Sequence, residues 1–180
     1  MKSIASRSLG RESGRRLQFE GLEDRCLLAT MHLLSTGTSP SPFTGLPEIP
    51  MSPIAARSLI QPEQLTAFRL NRPMLERQLR EAPREFTAEA RSKAIEISIP
   101  RPDGKLGTFQ IVEAPVMAPE LAAQFPEIKT YRGVDVDDPG NTVRLDITPQ
   151  GFHAQVLGEG GTYYIDPYYH LDQSVYVSYW

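Results

Sequence analysis

Alternation of apolar and polar residues dominates the second half of the chain and predicts β-strands there. Residues 141–149 (NTVRLDITP) and 151–157 (GFHAQVL) place apolar side chains at every second position, and a turn separates the two runs. Residues 161–166 (GTYYID) follow at once with a third run. Three consecutive runs joined by short turns predict an antiparallel meander. Further alternating runs occupy residues 94–100, 108–113, 128–136 and 174–180.

Two short helices are predicted within this β-rich sequence. The run Pro73–Ala82 places Leu75 and Leu79 at helical spacing, so these two leucines form the expected buried edge. Asn71 is a suitable N-cap for this helix, and proline is well tolerated near the first helical position. The second helix is predicted to begin at Pro119, for the same reason.

The expected fold is α+β and β-rich. It consists of an antiparallel sheet or sandwich with two short helices, preceded by a disordered N-terminal region. Gly133 lies inside the predicted strand 128–136 and is interpreted as a bulge site, because an isolated glycine in a strand is typical of bulges.

Composition divides the chain into three parts. Residues 1–35 are interpreted as an export or targeting segment. Residues 36–64 are rich in proline and serine, and proline removes backbone donors and restricts the residue before it. We therefore expect a disordered or polyproline-like linker there. Residues 65–180 contain the predicted strands and helices and form the expected β-module.

Charge and cysteine content narrow the function classes. The chain of 180 residues has a net charge of -3, which argues against nucleic acid as the main partner. The charge is uneven: residues 94–180 hold five Lys/Arg and twelve Asp/Glu, a net charge of -7. Cys26 is the only cysteine, so an intramolecular disulfide cannot form. No apolar run approaches the roughly 20 residues of a membrane-spanning helix.

A short motif near the N-terminus indicates export. Residues 15–29 (RRLQFEGLEDRCLLA) resemble the LE-x-R-x-LL motif found at the N-termini of large exported proteins of certain bacteria. The resemblance implies a secreted or cell-surface location, and the alternative is a short amphipathic helix without a targeting role. The positions that match the motif are Leu22, Glu23, Arg25, Leu27 and Leu28.

Several catalytic signatures are missing from the sequence. It contains no His-Glu-x-x-His zinc motif and no Gly-x-Ser-x-Gly nucleophile elbow. Its glycine-rich stretch, residues 158–161, lies between two predicted strands and is interpreted as a hairpin turn rather than a phosphate loop. We expect no catalytic residues and no cofactor in this chain.

Two groups of residues are candidates for binding a metal ion. Asp135, Asp137 and Asp138, with Asn141 nearby, concentrate oxygen ligands of the kind that calcium prefers. Their spacing does not match an EF-hand, and the Pro-Gly pair among them explains the segment as a β-turn. His153 is either an ordinary sheet histidine or a ligand that reaches a metal in a partner. The residue types favour the turn and the sheet histidine over metal binding.

Aromatic residues are concentrated near the C-terminus. Such side chains stack against sugar rings in some proteins, but they more often pack across strands. We expect packing and retain sugar binding as the alternative. The residues are Tyr163, Tyr164, Tyr168, Tyr169, Tyr176, Tyr179 and Trp180.

A series of segments in residues 65–180 resembles one protein family. The segments AFRLNRPMLERQLREAP (67–83), ISIPRPDG (97–104) and FQIVEAPVMAPEL (109–121) occur in order, followed by FPEIKTY, GFHA and GTYYIDP. Together they are similar to the propeptide-like N-terminal domains of secreted bacterial reprolysin-like (metzincin) zinc metallopeptidases. In that family a catalytic domain follows, whereas this sequence ends at Trp180.

The resemblance implies a non-catalytic function. We expect a module that assists folding of a metallopeptidase catalytic domain and inhibits it by covering its cleft, in cis or in trans. The chain is then interpreted either as a truncated fragment of a longer protein or as a module that has lost its enzyme. A cysteine that blocks the zinc ion is not available in residues 65–180. The alternative is a stand-alone extracellular adhesion or carbohydrate-binding β-module.

Overall fold

The computed structural model describes residues 40–180. The predicted targeting motif, from Leu22 to Leu28, lies outside the described residues. Within residues 40–180, none of the helices is long and apolar enough to cross a membrane.

In residues 40–180, nine strands form one antiparallel sheet, which confirms the predicted β-rich fold class. The sheet order is β1-β2-β9-β8-β7-β6-β5-β4-β3. Strands β3 to β9 therefore form an uninterrupted meander. Strand β2 pairs with the free edge of β9, and β1 pairs with β2. The strands are β1 (Phe43–Leu46), β2 (Leu65–Leu70), β3 (Ile95–Pro100), β4 (Leu106–Glu113), β5 (Lys129–Asp135), β6 (Thr142–Thr148), β7 (Gly151–Gly158), β8 (Gly161–Tyr169) and β9 (Asp172–Tyr179).

The sheet curls around a single main core. Inward side chains from all nine strands contribute to one apolar cluster, so strands from both edges of the sheet meet there. Phe43 and Phe68 pack edge to face, with 5.3 Å between ring centroids, and Phe68 stacks on Tyr176 at 6.1 Å. The Thr66 hydroxyl of β2 donates to the Pro102 carbonyl of the β3–β4 turn at 2.8 Å. This bond joins one end of the sheet to the other.

Helix α1 (Arg72–Leu79) packs into the same core. Asn71 Oδ1 accepts a hydrogen bond from the Met74 amide at 3.1 Å, which confirms the predicted N-cap. Leu75 and Leu79 are fully buried, as the helical spacing predicted.

There are three helices in the described residues, one more than predicted. Helix α2 (Ala88–Ser92) is a single short turn that Thr87 caps by accepting from the Ala90 amide at 3.2 Å. Its five residues are too short for a periodic apolar pattern, which explains why sequence periodicity did not find it. Helix α3 (Pro119–Gln124) begins at the predicted proline and buries none of its residues.

Gly133 does not form a bulge, contrary to the sequence interpretation. It pairs in regular register with Ile111 of β4 and Val143 of β6. A Cβ atom built at this position would lie 2.4 Å from Ile111 Cδ1 and 2.6 Å from the Gln110 carbonyl oxygen. Glycine is therefore required by close packing of the neighbouring strands.

The predicted disordered linker is wrong for residues 40–62. Residues 43–46 form edge strand β1, and residues 47–62, which we call the strap, cross the outer face of β9. Ile49 and Ile60 pack there against Val175 and Val177. The proline composition is compatible with this arrangement because proline is accepted on edge strands and in irregular packed segments. The folded unit therefore includes residues 43–62 as well as the predicted β-module.

Hydrogen bonds fasten the strap at both ends. The Ser52 hydroxyl donates to a carboxylate oxygen of buried Asp172, and the Tyr169 hydroxyl donates to the Pro50 carbonyl at 2.9 Å. The Leu59 amide donates to the Tyr168 carbonyl at 2.8 Å.

Candidate functional site

A shallow groove of about 320 Å³ lies on the outer face of strands β5 to β8. We call it the outer groove. Alternation along each strand sends one set of side chains into the core and the other set to this face. Its size is at the lower end of the range of about 300–1,000 Å³ for ligand sites. The outward side chains that line it are Thr130, Arg144, Asp146, His153, Gln155, Tyr164 and Asp166.

The strand register arranges the carboxylates of the outer groove around His153. His153 of β7 pairs directly with Asp146 of β6. Because Ala154 pairs with Ile165, His153 lies opposite Asp166 of β8. We call Asp146, His153 and Asp166 the acidic row.

His153 interacts most closely with Asp146. Nδ1 of His153 lies 3.1 Å from Asp146 Oδ1. This hydrogen bond raises the pKa of His153 above its ordinary value of 6.5, because a carboxylate stabilises the charged imidazolium. Partial burial opposes the rise, and the charge of Asp166 adds to it.

Tyrosines continue the polar network across β8 and β9. The Tyr179 hydroxyl donates to Asp166 Oδ2 at 2.7 Å. Burial first, and then this bond to an anion, raise the pKa of Tyr179. The rings of Tyr179 and Tyr164 lie 5.8 Å apart, and Gln155 Nε2 donates to the Tyr164 hydroxyl at 3.3 Å.

A second set of outward side chains lies beside the acidic row and carries positive charge. On β6 and β7 its members are two residues away from the members of the acidic row. Arg132 of β5 pairs directly with Arg144 of β6, and Arg144 pairs with Gln155 of β7. We call Arg132, Arg144 and Gln155 the basic row. Like charges placed directly opposite each other are unfavourable in a sheet.

The two arginines differ in their surroundings. Arg132 Nε lies 3.1 Å from Glu85 Oε2, an ion pair without hydrogen-bond geometry, and the Arg132 guanidinium carbon is 5.4 Å from the centroid of the Phe86 ring. Arg144 is exposed, and no carboxylate of residues 40–180 forms an ion pair with it.

One wall of the outer groove comes from the connection between β4 and β5, residues 114–128. Ala114 and Val116 line the groove, and the Thr130 hydroxyl donates to the Ala114 carbonyl at 2.7 Å. This connection contains α3 and leaves three apolar side chains in water: Val116 is 70% exposed, Leu121 44% and Phe125 43%. A convex apolar element therefore adjoins a concave polar one.

The acidic segment Asp135–Asn141 forms a turn. Asp135 is buried, and its Oδ1 accepts hydrogen bonds from the amides of Asp137 at 2.9 Å and Asp138 at 3.3 Å. Asp138 in turn accepts from the Gly140 amide and from Asn141 Nδ2, both at 3.1 Å. Across residues 40–180, no three His, Cys, Asp or Glu side chains are grouped so as to hold a metal ion. Asp135 lies on the inner face and does not meet His153.

Most C-terminal aromatic residues pack against the rest of the protein. Tyr163 and Tyr176 point inward and are buried in the main core. Tyr168, Tyr169 and Tyr179 pack on the outer face beside the strap. Tyr164, 37% exposed, lines the outer groove, and Trp180, 51% exposed, packs edge to face on Tyr163.

Sequence reasoning found His153 but missed the residues around it. Asp146, Asp166, Arg144 and Gln155 belong to strands that the alternation predicted, each at an outward position. Their proximity depends on the register between strands. The short turns that join the three meander runs fix this register, so aligning the runs across those turns would have placed the residues side by side.

The comparisons with known proteins give no relatives. No family model matches the chain, and no curated protein and no solved structure matches it.

Proposed function

We propose that this protein is a non-catalytic, propeptide-like module that binds the catalytic domain of a secreted zinc metallopeptidase and occludes its cleft. The observation that carries the proposal is the surface formed by the outer groove and the exposed connection 114–128. Exposed apolar residues beside a polar recess are typical of a protein interface, in which apolar contacts lie beside polar ones.

The connection 114–128 suits insertion into a cleft. Helix α3 buries none of its own residues, so Leu121 can become buried only against another surface. Full burial of an exposed apolar side chain of this size contributes roughly 1.5–3 kcal/mol, and Leu121 and Phe125, each less than half exposed, can contribute roughly half of that, which makes them the expected anchors.

The segment resemblance of residues 65–180 supports the choice of partner. Residues 40–180 contain no cysteine, so inhibition by a thiolate bound to zinc is not part of the proposal. Occlusion instead depends on shape and on contacts of the outer surface. A module covalently linked to its enzyme acts at an effective concentration in the millimolar range, so weak intrinsic affinity is sufficient.

Carbohydrate binding by an extracellular adhesion module is the second candidate. It is favoured by Tyr164, whose partly exposed ring lies beside Gln155 and Asp166 in the outer groove. An aromatic ring next to planar polar side chains is a common arrangement for stacking on a sugar ring. This function predicts binding to glycans and no inhibition of a peptidase.

A titration of peptidase activity tests the proposed function. The full chain is added to a reprolysin-like catalytic domain, and activity is measured against concentration. We expect inhibition at micromolar to millimolar concentrations that is reduced at least tenfold by the double change Leu121→Ser and Phe125→Ser. The variant His153→Ala should retain most of the inhibition, because no metal ligation is involved.

A matched control separates this surface from general loss of apolar area. Leu106→Ser removes an apolar side chain that is 53% exposed at the first residue of β4, the end of that strand opposite to the connection 114–128. It should inhibit like the unmodified chain. Absence of inhibition by the folded, unmodified chain contradicts the proposal, and glycan binding in its place supports the second candidate. Complete loss of inhibition in folded His153→Ala contradicts occlusion without metal ligation.

The proposed partner also requires export. The resemblance of residues 15–29 to an export motif supports a secreted or cell-surface location. Deletion of residues 15–29 should then retain the protein inside the cell, and unchanged secretion of the deletion variant contradicts the targeting role.

A further inference from the structure

We propose that the outer groove binds an extended peptide segment of a partner protein, one that carries an acidic and a basic side chain two residues apart. The inference rests on the proposed function, because it specifies what part of the partner the module contacts. It follows from the positions of the acidic and basic rows on the same strands.

The two rows differ in charge over a short distance. Arg144 and Asp146 are separated by two residues on β6 and both point outward. At about 3.3–3.4 Å per residue, their Cα atoms lie roughly 7 Å apart along the strand. The surface potential therefore changes sign over one two-residue repeat.

The acidic row can receive a positive charge. Asp146 and Asp166 stand on strands two apart, with His153 between them, so their Cα atoms are separated by about 10 Å across the sheet. When His153 is neutral, this row carries two negative charges. Each carboxylate has one oxygen engaged within the module, Asp146 Oδ1 with His153 and Asp166 Oδ2 with Tyr179. The second oxygen of each carboxylate has no hydrogen-bond donor among residues 40–180.

The basic row can receive a negative charge. The charge of Arg132 is offset by Glu85, while Arg144 has no carboxylate partner among the described residues. Arg144 is therefore the positive group that a ligand meets. A guanidinium binds a carboxylate through two parallel hydrogen bonds, which favours a glutamate or aspartate side chain as its partner.

An extended peptide matches this spacing. In a β-strand, residues i and i+2 point to the same side and are also roughly 7 Å apart. A peptide lying along β6 and β7 thus presents opposite charges at positions i and i+2 to Asp146 and Arg144 together. Adjacent charges at i and i+1 point to opposite sides of the peptide. Such a peptide can therefore form an ion pair with the acidic row or with the basic row, but not with both.

A comparison of short peptides tests this inference with the full chain. Four acetylated, amidated heptapeptides of threonine and glycine are compared. Two carry charges at i and i+2, as Lys-Thr-Glu or Glu-Thr-Lys. A third carries adjacent charges, as Lys-Glu-Thr, and the fourth has threonine in place of both charged residues. Binding is followed at pH 7.5 by chemical-shift changes of the ¹⁵N-labelled protein. We expect at least one peptide with charges at i and i+2 to bind at millimolar concentrations, with shifts in β6, β7 and β8. The peptide with adjacent charges should bind at least threefold more weakly, and the uncharged peptide should not bind.

Variants assign the contacts. Arg144→Gln and Asp166→Asn should each weaken binding of the preferred peptide about two- to fivefold, the range expected for exposed ion pairs. Glu159→Gln and Lys105→Gln alter exposed charges in two turns away from the groove and should leave binding unchanged. Raising the salt concentration to about 1 M should also weaken binding, because screening shortens the range of these charges.

The inference is overturned if adjacent and spaced charges bind equally well, if the shifts lie outside β5 to β8, or if no peptide binds at about 10 mM. Inhibition of the peptidase in the absence of peptide binding overturns this inference alone and leaves the proposed function in place. Peptide binding without inhibition contradicts the proposed partner and supports the groove as a peptide site.

Discussion

His153 is the residue whose ionisation the outer groove controls most directly. Its hydrogen bond to Asp146 raises its pKa, so an NMR titration should place the His153 pKa above 6.5. The variant Asp146→Asn should lower it, since a neutral amide does not stabilise the imidazolium in the same way. Equal His153 pKa values in the two proteins contradict the contact.

The raised pKa of His153 determines how its hydrogen bond to Asp146 changes the stability of the fold with pH. Because the folded-state pKa of His153 is raised, the bond stabilises the fold fully below the unfolded-state value of about 6.5. This contribution is lost as the pH rises through the higher folded-state value. Both side chains are about one third exposed, so solvent screening limits the effect to less than about 1 kcal/mol.

Gly133 illustrates a residue whose role depends on neighbours that are distant in the sequence. Gly133→Ala places a methyl group against Ile111 and the Gln110 carbonyl, and overpacking of this kind typically costs about 1–3 kcal/mol. Chemical denaturation should show a lower unfolding free energy by that amount. Gly45→Ala, in β1, is the control, since nothing lies within 4 Å of an added Cβ atom there. A Gly133→Ala protein as stable as the control contradicts the close packing.

Residue types alone predicted part of this picture. Strand alternation points His153 away from its apolar neighbours Phe152 and Ala154, and therefore outward. The partners Asp146 and Asp166 depend on which residues face each other across strands. Likewise, the tight contacts of Gly133 are made by residues of β4 and β6, so they cannot be predicted from the sequence of β5 alone.

The strap is held to the sheet by a buried side-chain hydrogen bond. Its Ser52 hydroxyl donates to Asp172, which lies in the first position of β9 and is buried. Ser52→Ala leaves that carboxylate oxygen without its donor, which should lower the unfolding free energy by about 1–3 kcal/mol. The control is Ser58→Ala, also in the strap, whose hydroxyl accepts only from exposed Gln61.

The pH dependence of this contact has the opposite sign to that of His153. The hydrogen bond from Ser52 lowers the pKa of Asp172. Its stabilisation is therefore present above the unfolded-state value of about 3.9 and is lost as the pH falls through the lower folded-state value. The difference between Ser52→Ala and the unmodified chain should shrink in strong acid. A difference that stays constant from pH 7 to pH 2 contradicts the ionised form of Asp172 as acceptor.

At the scale of elements, local patterns predicted strands β3 to β9 and two helices, but neither β1 nor the strap. Alternation is a property of neighbouring residues, and it identified every strand from β3 to β9. The strap instead depends on contacts of Ile49 and Ile60 with Val175 and Val177, more than 100 residues away in the chain. Proline content alone does not distinguish a packed irregular segment from a disordered one.

At the scale of the whole molecule, residues 40–180 form a curled antiparallel sheet with two chemically different outer regions. The strap covers the outer face at β9, while the outer groove lies open at β5 to β8. Strand alternation predicted the β-rich class, but the curl arises from the twist and mutual packing of nine strands and is not encoded in any one of them. Function belongs to the surface rather than to the fold, so the proposed binding role rests on the outer groove and residues 114–128.

Hydrogen–deuterium exchange of the full chain, alone and with a saturating reprolysin-like catalytic domain, tests the central claim most directly. Most of the connection 114–128 is exposed, and its exposed amides should exchange quickly in the chain alone. In the complex, exchange in residues 114–128 should slow at least tenfold, while exchange in the strap, residues 47–62, should stay unchanged. Unchanged exchange in residues 114–128 at saturation, or slowing confined to the strap, contradicts the account.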